Sequence, residues 1–295
     1  MPELPEVETV RRTLKNMIIG SKITHVTTKY PPIIAGDAGL FADSVSRQRF
    51  CDIDRVGKYL IFILDDGAFI SHLRMEGKYV IAPAGGQFNK HEHLSFHLDD
   101  GRELRYHDTR KFGRMELTDK TNYRQLPPLN KLGPEPFEAE PNILHERLKR
   151  SRLPIKSLLL NQSILAGIGN IYANEICHRA RLDPRMGGSA LSVDDTARLL
   201  AAACEILNDA ITEGGSSIHS FSSAGISGRF QLKLKIHGQE NCGNCHGAVT
   251  KISVGGRGTY FCAKCLGKEP PHAQKRQAKN ETTLPGADTG RKNRR

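Results

Sequence analysis

Val7, Val10, Leu14 and Met17 recur at steps of three and four, which is the spacing of one face of a helix, so the sequence predicts a helix over residues 5 to about 19. Pro5 fits its first position, Glu6 and Glu8 fall in the first turn where the helix dipole favours acids, and Gly20 suits its end. The pattern then changes period. Residues 21–29 alternate, residues 45–53 and 59–64 are rich in β-branched and aromatic types, and short apolar runs follow at 69–72, 79–81, 94–98, 104–106 and 115–117. Asp65-Asp66-Gly67 and Asp99-Asp100-Gly101 are hairpin turn signals, so this stretch reads as a sandwich or barrel. Residues 121–141 carry Pro127, Pro128, Pro134, Pro136 and Pro141 and read as a linker at a domain boundary. The second half returns to helical spacing at 142–149 and 155–160. Gly167 and Gly169 force a turn, and Asn170 is expected to cap a helix to about residue 179. Ser192-x-x-Asp195 is a capping box for a long helix over 193–213, closed by Gly214-Gly215. Residues 216–228 are small, polar and glycine-rich, as in a mobile loop that carries substrate contacts. The fold class is α+β, divided as 1–120, a linker at 121–141, a helical domain at 142–235, a hairpin at 236–266 and a tail at 267–295.

Charge narrows the class of partner. The chain of 295 residues has a formal net charge of +11, which favours a polyanion over an acidic or neutral partner, although a generic basic surface has the same sign. Residues 267–295 hold eight Lys/Arg against three acids, so +5 of the excess is in the tail and about +6 remains in the body. The tail is expected to be disordered and to attract polyanions without specificity. No apolar run reaches spanning length and no secretory core is evident, so a cytoplasmic protein without a membrane partner is expected.

The seven cysteines of such a chain read as free thiols or metal ligands. Four of them settle into a pattern: Cys242-x2-Cys245 and Cys262-x2-Cys265, sixteen residues apart, are two knuckles of a tetrahedral thiolate site for one Zn2+. All four positions are protein ligands, so the zinc would be structural. Arg257 is expected at the tip of the hairpin between the knuckles.

At the other end, removal of Met1 makes Pro2 a terminal secondary amine, a nucleophile that forms Schiff bases with carbonyl carbons, and Glu3 is a general acid or base beside it. Taken alone, Met-Pro is an ordinary chain start. Four other pieces also have ordinary readings: Lys58 as a surface lysine, Met75 as core filler, His91 and His93 as one strand face, and residues 108–113 as a basic loop.

Read together and in order, Pro2-Glu3-Leu4-Pro5-Glu6-Val7-Glu8, Lys58, His72-Leu73-Arg74-Met75, Asp108-Thr109-Arg110-Lys111-Phe112-Gly113, Gly167-Ile168-Gly169-Asn170-Ile171-Tyr172-Ala173 and the four-Cys hairpin resemble the bacterial formamidopyrimidine-DNA glycosylases over residues 2 to about 266. The resemblance implies an N-terminal β-sandwich with a nucleophile helix, a helix-two-turn-helix domain and a zinc hairpin, clamping double-stranded DNA that contains oxidised bases or abasic sites, in a bacterial, monomeric enzyme. It implies that Pro2 attacks the sugar C1′, that Glu3 protonates the opening sugar, and that Lys58 and Arg257 donate protons in the elimination steps. Met75, Arg110 and Phe112 match residues that fill the void left by a flipped base. His91, Arg110, Arg152 and Asn170 match DNA contacts, and Lys156 a basic residue near the site. The sequence departs from the family at Thr109, Lys111 and His237. Two alternatives stay open: an endonuclease VIII-like enzyme for oxidised pyrimidines, and a non-catalytic zinc-hairpin DNA-binding protein.

Overall fold

The computed structural model describes residues 1–216 and 228–267. Helix α1 (Leu4–Ile18) lays Val7, Val10, Leu14 and Ile18 into the core, at the spacing read from the sequence. Two four-stranded antiparallel sheets follow. One has the order β2 (Phe50–Val56), β3 (Tyr59–Leu64), β4 (Gly67–His72), β8 (Arg114–Thr118). The other runs β1 (Ile23–Thr28), β6 (Glu92–Leu98), β7 (Arg102–His107), β5 (Lys78–Pro83). The strands alternate, and the inward set from both sheets meets α1 in one cluster that includes Ile53, Phe62 and Phe69 from the first sheet and Ile23, Phe96 and Leu104 from the second. Phe69 is at its centre, stacked on Phe62 at 4.5 Å and on Phe96 at 5.3 Å between ring centroids.

Two stretches differ from the sequence reading. Helix α2 (Ala38–Val45) precedes β2, so Val45 ends a helix and does not start a strand. Asp37 caps it through a bond from the Leu40 amide, and Phe41 and Val45, four apart, are buried. Residues 121–141 are not bare linker. Turns of 3-10 helix at Tyr123–Gln125, Leu129–Lys131 and Pro136–Glu138 fold this segment onto the outer face of β3 and β4, where Leu129 packs with Ile61, Ala68 and Ile70.

The second half has its own core, built by α3 (Pro141–Leu148), α4 (Ile155–Leu160), α5 (Asn170–Arg179) and α6 (Val193–Thr212). The Ser192/Asp195 capping box opens α6 as expected. Strands β9 (Thr250–Val254) and β10 (Arg257–Phe261) form the hairpin, with Gly255-Gly256 as its two-residue turn. Arg257 is therefore the first residue of β10, opposite Val254, and it is exposed. Residues 217–227 of the expected substrate loop and the tail beyond residue 267 lie outside the described residues.

Phe69→Ala removes the ring that joins the two sheets and should cost about 3–5 kcal/mol of stability, read as a lower urea midpoint at unchanged slope.

Candidate active site and metal centre

The site is assembled from Glu3 outward. Glu3 is the N-cap of α1, in a capping box with Glu6, so Leu4 is the first helical residue and Pro5 the second. Pro2 is buried just before the cap. The Glu3 carboxylate crosses into the helical half. It accepts from the amides of Gly169 at 2.6 Å, Ile171 at 2.9 Å and Tyr172 at 3.4 Å, the free N–H groups at the start of α5. Close approach explains the glycines: a Cβ on Gly169 would fall 2.3 Å from Glu3 Cδ. One on Gly167, whose φ is +95°, would fall 2.5 Å from Leu4 Cδ1. Asn170, expected as the cap of α5, is its first helical residue, and Gly169 takes the cap position. Asn170 Oδ1 is buried without a hydrogen-bond partner, a polar atom available to a ligand.

Lys58 is not a surface lysine. It is 5% exposed, and its ammonium donates to the Ile168 carbonyl at 2.7 Å. Burial lowers its pKa, the carboxylates of Glu3 and Glu6 oppose that shift, and the charge of Arg257 adds to it. Burial also pushes the Glu3 carboxyl up to about 7, against the pull of Lys58 and of the Ile171 and Gly169 amides and with the push of Glu6. Glu3 can therefore exchange a proton near neutrality. Glu6 was not singled out in the sequence, although Glu3-x-x-Glu6 is a capping-box spacing that could have pointed to it. Its carboxylate accepts from the Glu3 amide at 2.8 Å, the Tyr172 hydroxyl at 2.6 Å and the Ser216 amide at 2.7 Å.

Three further expected residues, Met75, Arg110 and Phe112, lie on the sandwich side. Asp108, fully buried, accepts from the amides of Arg110, Phe112 and Gly113 at 2.8–3.0 Å and shapes the 108–113 loop. This leaves Phe112 exposed with the Arg110 guanidinium 4.8 Å from its ring centroid. Met75 is also exposed, which removes its reading as core filler. Thr109, one of the departures, donates to the Glu76 carboxylate and so ties the Met75 turn to the Phe112 loop. His91 borders the same loop, where its carbonyl accepts from the Asp108 amide at 2.9 Å. Lys111, at φ +58°, lies over the Tyr30 ring. Arg152 is exposed in the turn before α4.

Lys156 is placed differently from a ligand-facing base. It is fully buried and donates to the Gly258 carbonyl at 2.6 Å and the Thr259 hydroxyl at 2.8 Å, so it holds β10 against α4. Burial lowers its pKa to about 8. Two more residues absent from the sequence reading secure the hairpin. The Glu175 carboxylate accepts from the amides of Lys235, Ile236 and His237, and Asn174 meets the His237 ring at 2.6 Å and the Tyr260 amide at 3.3 Å. His237, another departure, is pushed down to about 4 by burial and is neutral, so its ring accepts from the Asn174 amide group.

The sulfurs of Cys242, Cys245, Cys262 and Cys265 lie within 4.8 Å of one another. The Cys242–Cys265 and Cys245–Cys262 separations are 3.6 and 3.4 Å. A tetrahedral thiolate site with bonds near 2.3 Å has edges of about 3.8 Å, so the four residues fit a metal ion. His178, from α5, reaches Cys242 Sγ at 3.5 Å. No helix among the described residues is long and apolar enough to cross a membrane.

One buried carboxylate is thus shared by the two halves, with Pro2 beside it and a metal-ready cysteine group in the helical half. Comparison with known proteins gives the family. The formamidopyrimidine-DNA glycosylase N-terminal domain matches residues 1–115, and the H2TH domain of the same enzymes matches residues 132–222. A formamidopyrimidine-DNA glycosylase of Exiguobacterium sibiricum is 44% identical over 90% of this chain and 98% of its own length. One of Bacillus cereus is 41% identical over 90% and 99%. A Lactococcus lactis enzyme, solved as a point mutant with DNA containing Fapy-dG, superposes with a TM-score of 0.85 at 39% identity over 90% of this chain and 100% of that one. The same Lactococcus enzyme is also known with DNA containing an abasic site, at the same TM-score of 0.85. The chain belongs to the formamidopyrimidine-DNA glycosylase family.

The raised Glu3 pKa has a consequence for stability. Between the ordinary value of 4.5 and about 7, the folded protein holds the Glu3 proton more tightly than the unfolded chain does. Stability therefore falls as pH rises across that window and levels above it, and Glu6, shifted in the same direction by burial, adds to the slope. Urea unfolding across the window should show a shallower decline in Glu3→Gln than in the unmodified protein.

Proposed function

We propose that this protein removes oxidised purines, 8-oxoguanine and formamidopyrimidines, from double-stranded DNA and then nicks the abasic site. The observation that carries the reading is the pairing of Pro2 and Glu3 at the seam, with Glu3 seated on the Gly169, Ile171 and Tyr172 amides and Lys58 opposite it. Once Met1 is removed, the Pro2 nitrogen is a secondary amine. It attacks C1′ as the base leaves. Glu3, titrating near neutrality, supplies the proton to the ring oxygen as the sugar opens, which leaves a Pro2 iminium. The iminium is an electron sink that acidifies the C2′ hydrogen. The 3′ phosphate then leaves by β-elimination and the 5′ phosphate by a second, δ-elimination. Lys58 and Arg257 donate protons in those two elimination steps.

A base inside the stack is beyond the reach of an amine, so the lesion is flipped. Unstacking costs on the order of a few kcal/mol, and exposed Met75 and Phe112 with the Arg110 guanidinium suit the vacated space. Asn170, with its unpartnered Oδ1, His91 and Arg152 serve as DNA contacts. Lys156 acts by holding β10, and so Arg257, in place. The four cysteines hold one Zn2+, whose part is to fix the hairpin. The protein works as a monomer in the bacterial cytoplasm.

The Lactococcus enzyme is also known with DNA containing an oxidised pyrimidine, which keeps pyrimidine lesions as a second substrate class to test. Borohydride trapping on a duplex with one 8-oxoguanine opposite cytosine, beside a thymine glycol duplex, separates the readings. A covalent adduct on the first, lost when the Pro2 amine is blocked, is expected. An adduct on the thymine glycol duplex alone would assign an endonuclease VIII-like enzyme, and DNA binding without any adduct would assign a binding module.

A further inference from the structure

Glu135 lies in the proline-bearing segment between the halves and touches neither Glu3 nor Lys58. Yet it is 9% exposed, and both of its oxygens are engaged. Oε1 accepts from Arg55 Nη1 at 2.6 Å and Oε2 from Arg55 Nη2 at 2.9 Å, the two-pronged pairing that fixes a guanidinium in one orientation. Oε1 accepts in addition from the Gly57 amide at 2.7 Å. Arg55 in turn donates to the Gly57 carbonyl at 3.0 Å and to Glu8 on α1 at 3.0 Å. Both peptide groups of Gly57 are thus held, one by the carboxylate and one by the guanidinium it orients.

Gly57 is the residue before Lys58, in the two-residue turn from β2 to β3. Its φ is +58°, and a Cβ there would stand 3.3 Å from Ala166 Cβ and 3.6 Å from the Gly167 amide nitrogen, so the turn lies against the stretch that leads to Ile168 and Gly169. A shift of this turn would carry Lys58 away from the Ile168 carbonyl it meets at 2.7 Å. The chain Glu8–Arg55–Glu135 therefore links the three pieces that must keep register: the helix that starts at Glu3, the turn that carries Lys58, and the segment that enters the helical half.

We propose that Glu135 is a positioning residue for the reaction: paired with Arg55, it holds the Gly57 turn so that the Lys58 ammonium is delivered to the Ile168 carbonyl beside Glu3. This rests on the reading of Lys58 as a proton donor in the elimination steps. A purely structural ion pair would affect stability or DNA affinity but would act independently of Lys58. Glu135→Gln keeps an acceptor for Gly57 and loses the second bond to Arg55. Arg55→Lys keeps the charge and loses the fork.

The test is a double-mutant cycle on the full-length protein, reading single-turnover nicking of an abasic-site duplex together with the Kd for that duplex. Displacement of a reacting group by about 1 Å can cost up to about 100-fold in rate, so Glu135→Gln should slow nicking by about 10-fold or more while Kd stays within about 2-fold. Glu135→Gln added to Lys58→Gln should slow it no further. Arg55→Lys should couple to Lys58→Gln in the same way, which keeps the test open if Glu135→Gln fails to fold. Additive losses in the double variants, or a loss confined to Kd, overturn the positioning role. If Lys58→Gln alone nicks at the wild-type rate, it is the reading of Lys58 that fails, and the positioning role falls with it.

Discussion

The structure depends on placing one carboxylate where water cannot reach it. Glu3 is 2% exposed, and its compensation comes from the other half of the molecule, from amides at the start of α5. A buried carboxylate without partners is costly, by several kcal/mol even after relaxation. The contact that relieves this cost also joins the sandwich to the helical domain. Folding, domain register and the acid–base chemistry of the site thus share one set of hydrogen bonds, and the two glycines around Ile168 are the steric condition for it.

Helix α5 carries that register onward. Its first turn binds Glu3, its middle holds the hairpin through Asn174 and Glu175, and His178 near its end touches Cys242 of the metal group. Lys156 fastens β10 from a second helix. The exposed Arg257 therefore takes its place from two helices far from it in sequence and from the cysteine cluster that flanks its own hairpin. The lysines show how burial separates roles. Lys58 and Lys156 are both buried with lowered pKa, but one faces Glu3 and the other supports the hairpin.

Elements governed by short-range rules were legible in the sequence. The 3.6-residue period of α1, the Asp-Asp-Gly turns, the Ser192 capping box and the paired Cys-x2-Cys knuckles each have a local physical signature, and each is present where it was read. What stayed hidden depends on pairing across the chain. Lys58 reads as a surface lysine because its partner, Ile168, is far away in sequence. The proline-rich segment reads as a linker because the face of β3 and β4 that it covers cannot be seen in its own composition. Helix α2 is short and has only Phe41 and Val45 as its buried pair, which is too little periodicity to mark a helix. Asn170 has the composition of a cap, but Gly169 takes that place because Glu3 occupies the space a Cβ would need. The short motifs carried the family resemblance, and three of them, the Pro2–Glu8 stretch, Lys58 and the Gly167–Ala173 stretch, meet at the same seam.

The most direct test of this account is the Gly169→Ala variant, measured for single-turnover base excision beside its metal content and its affinity for an abasic-site duplex. The added methyl would fall 2.3 Å from Glu3 Cδ and must displace the carboxylate from the α5 amides. The account predicts a loss of about 100-fold in the chemical step, with metal content and DNA affinity close to wild type. Wild-type excision in a folded Gly169→Ala protein would contradict it, because the seating of Glu3 would then not be what the chemistry depends on.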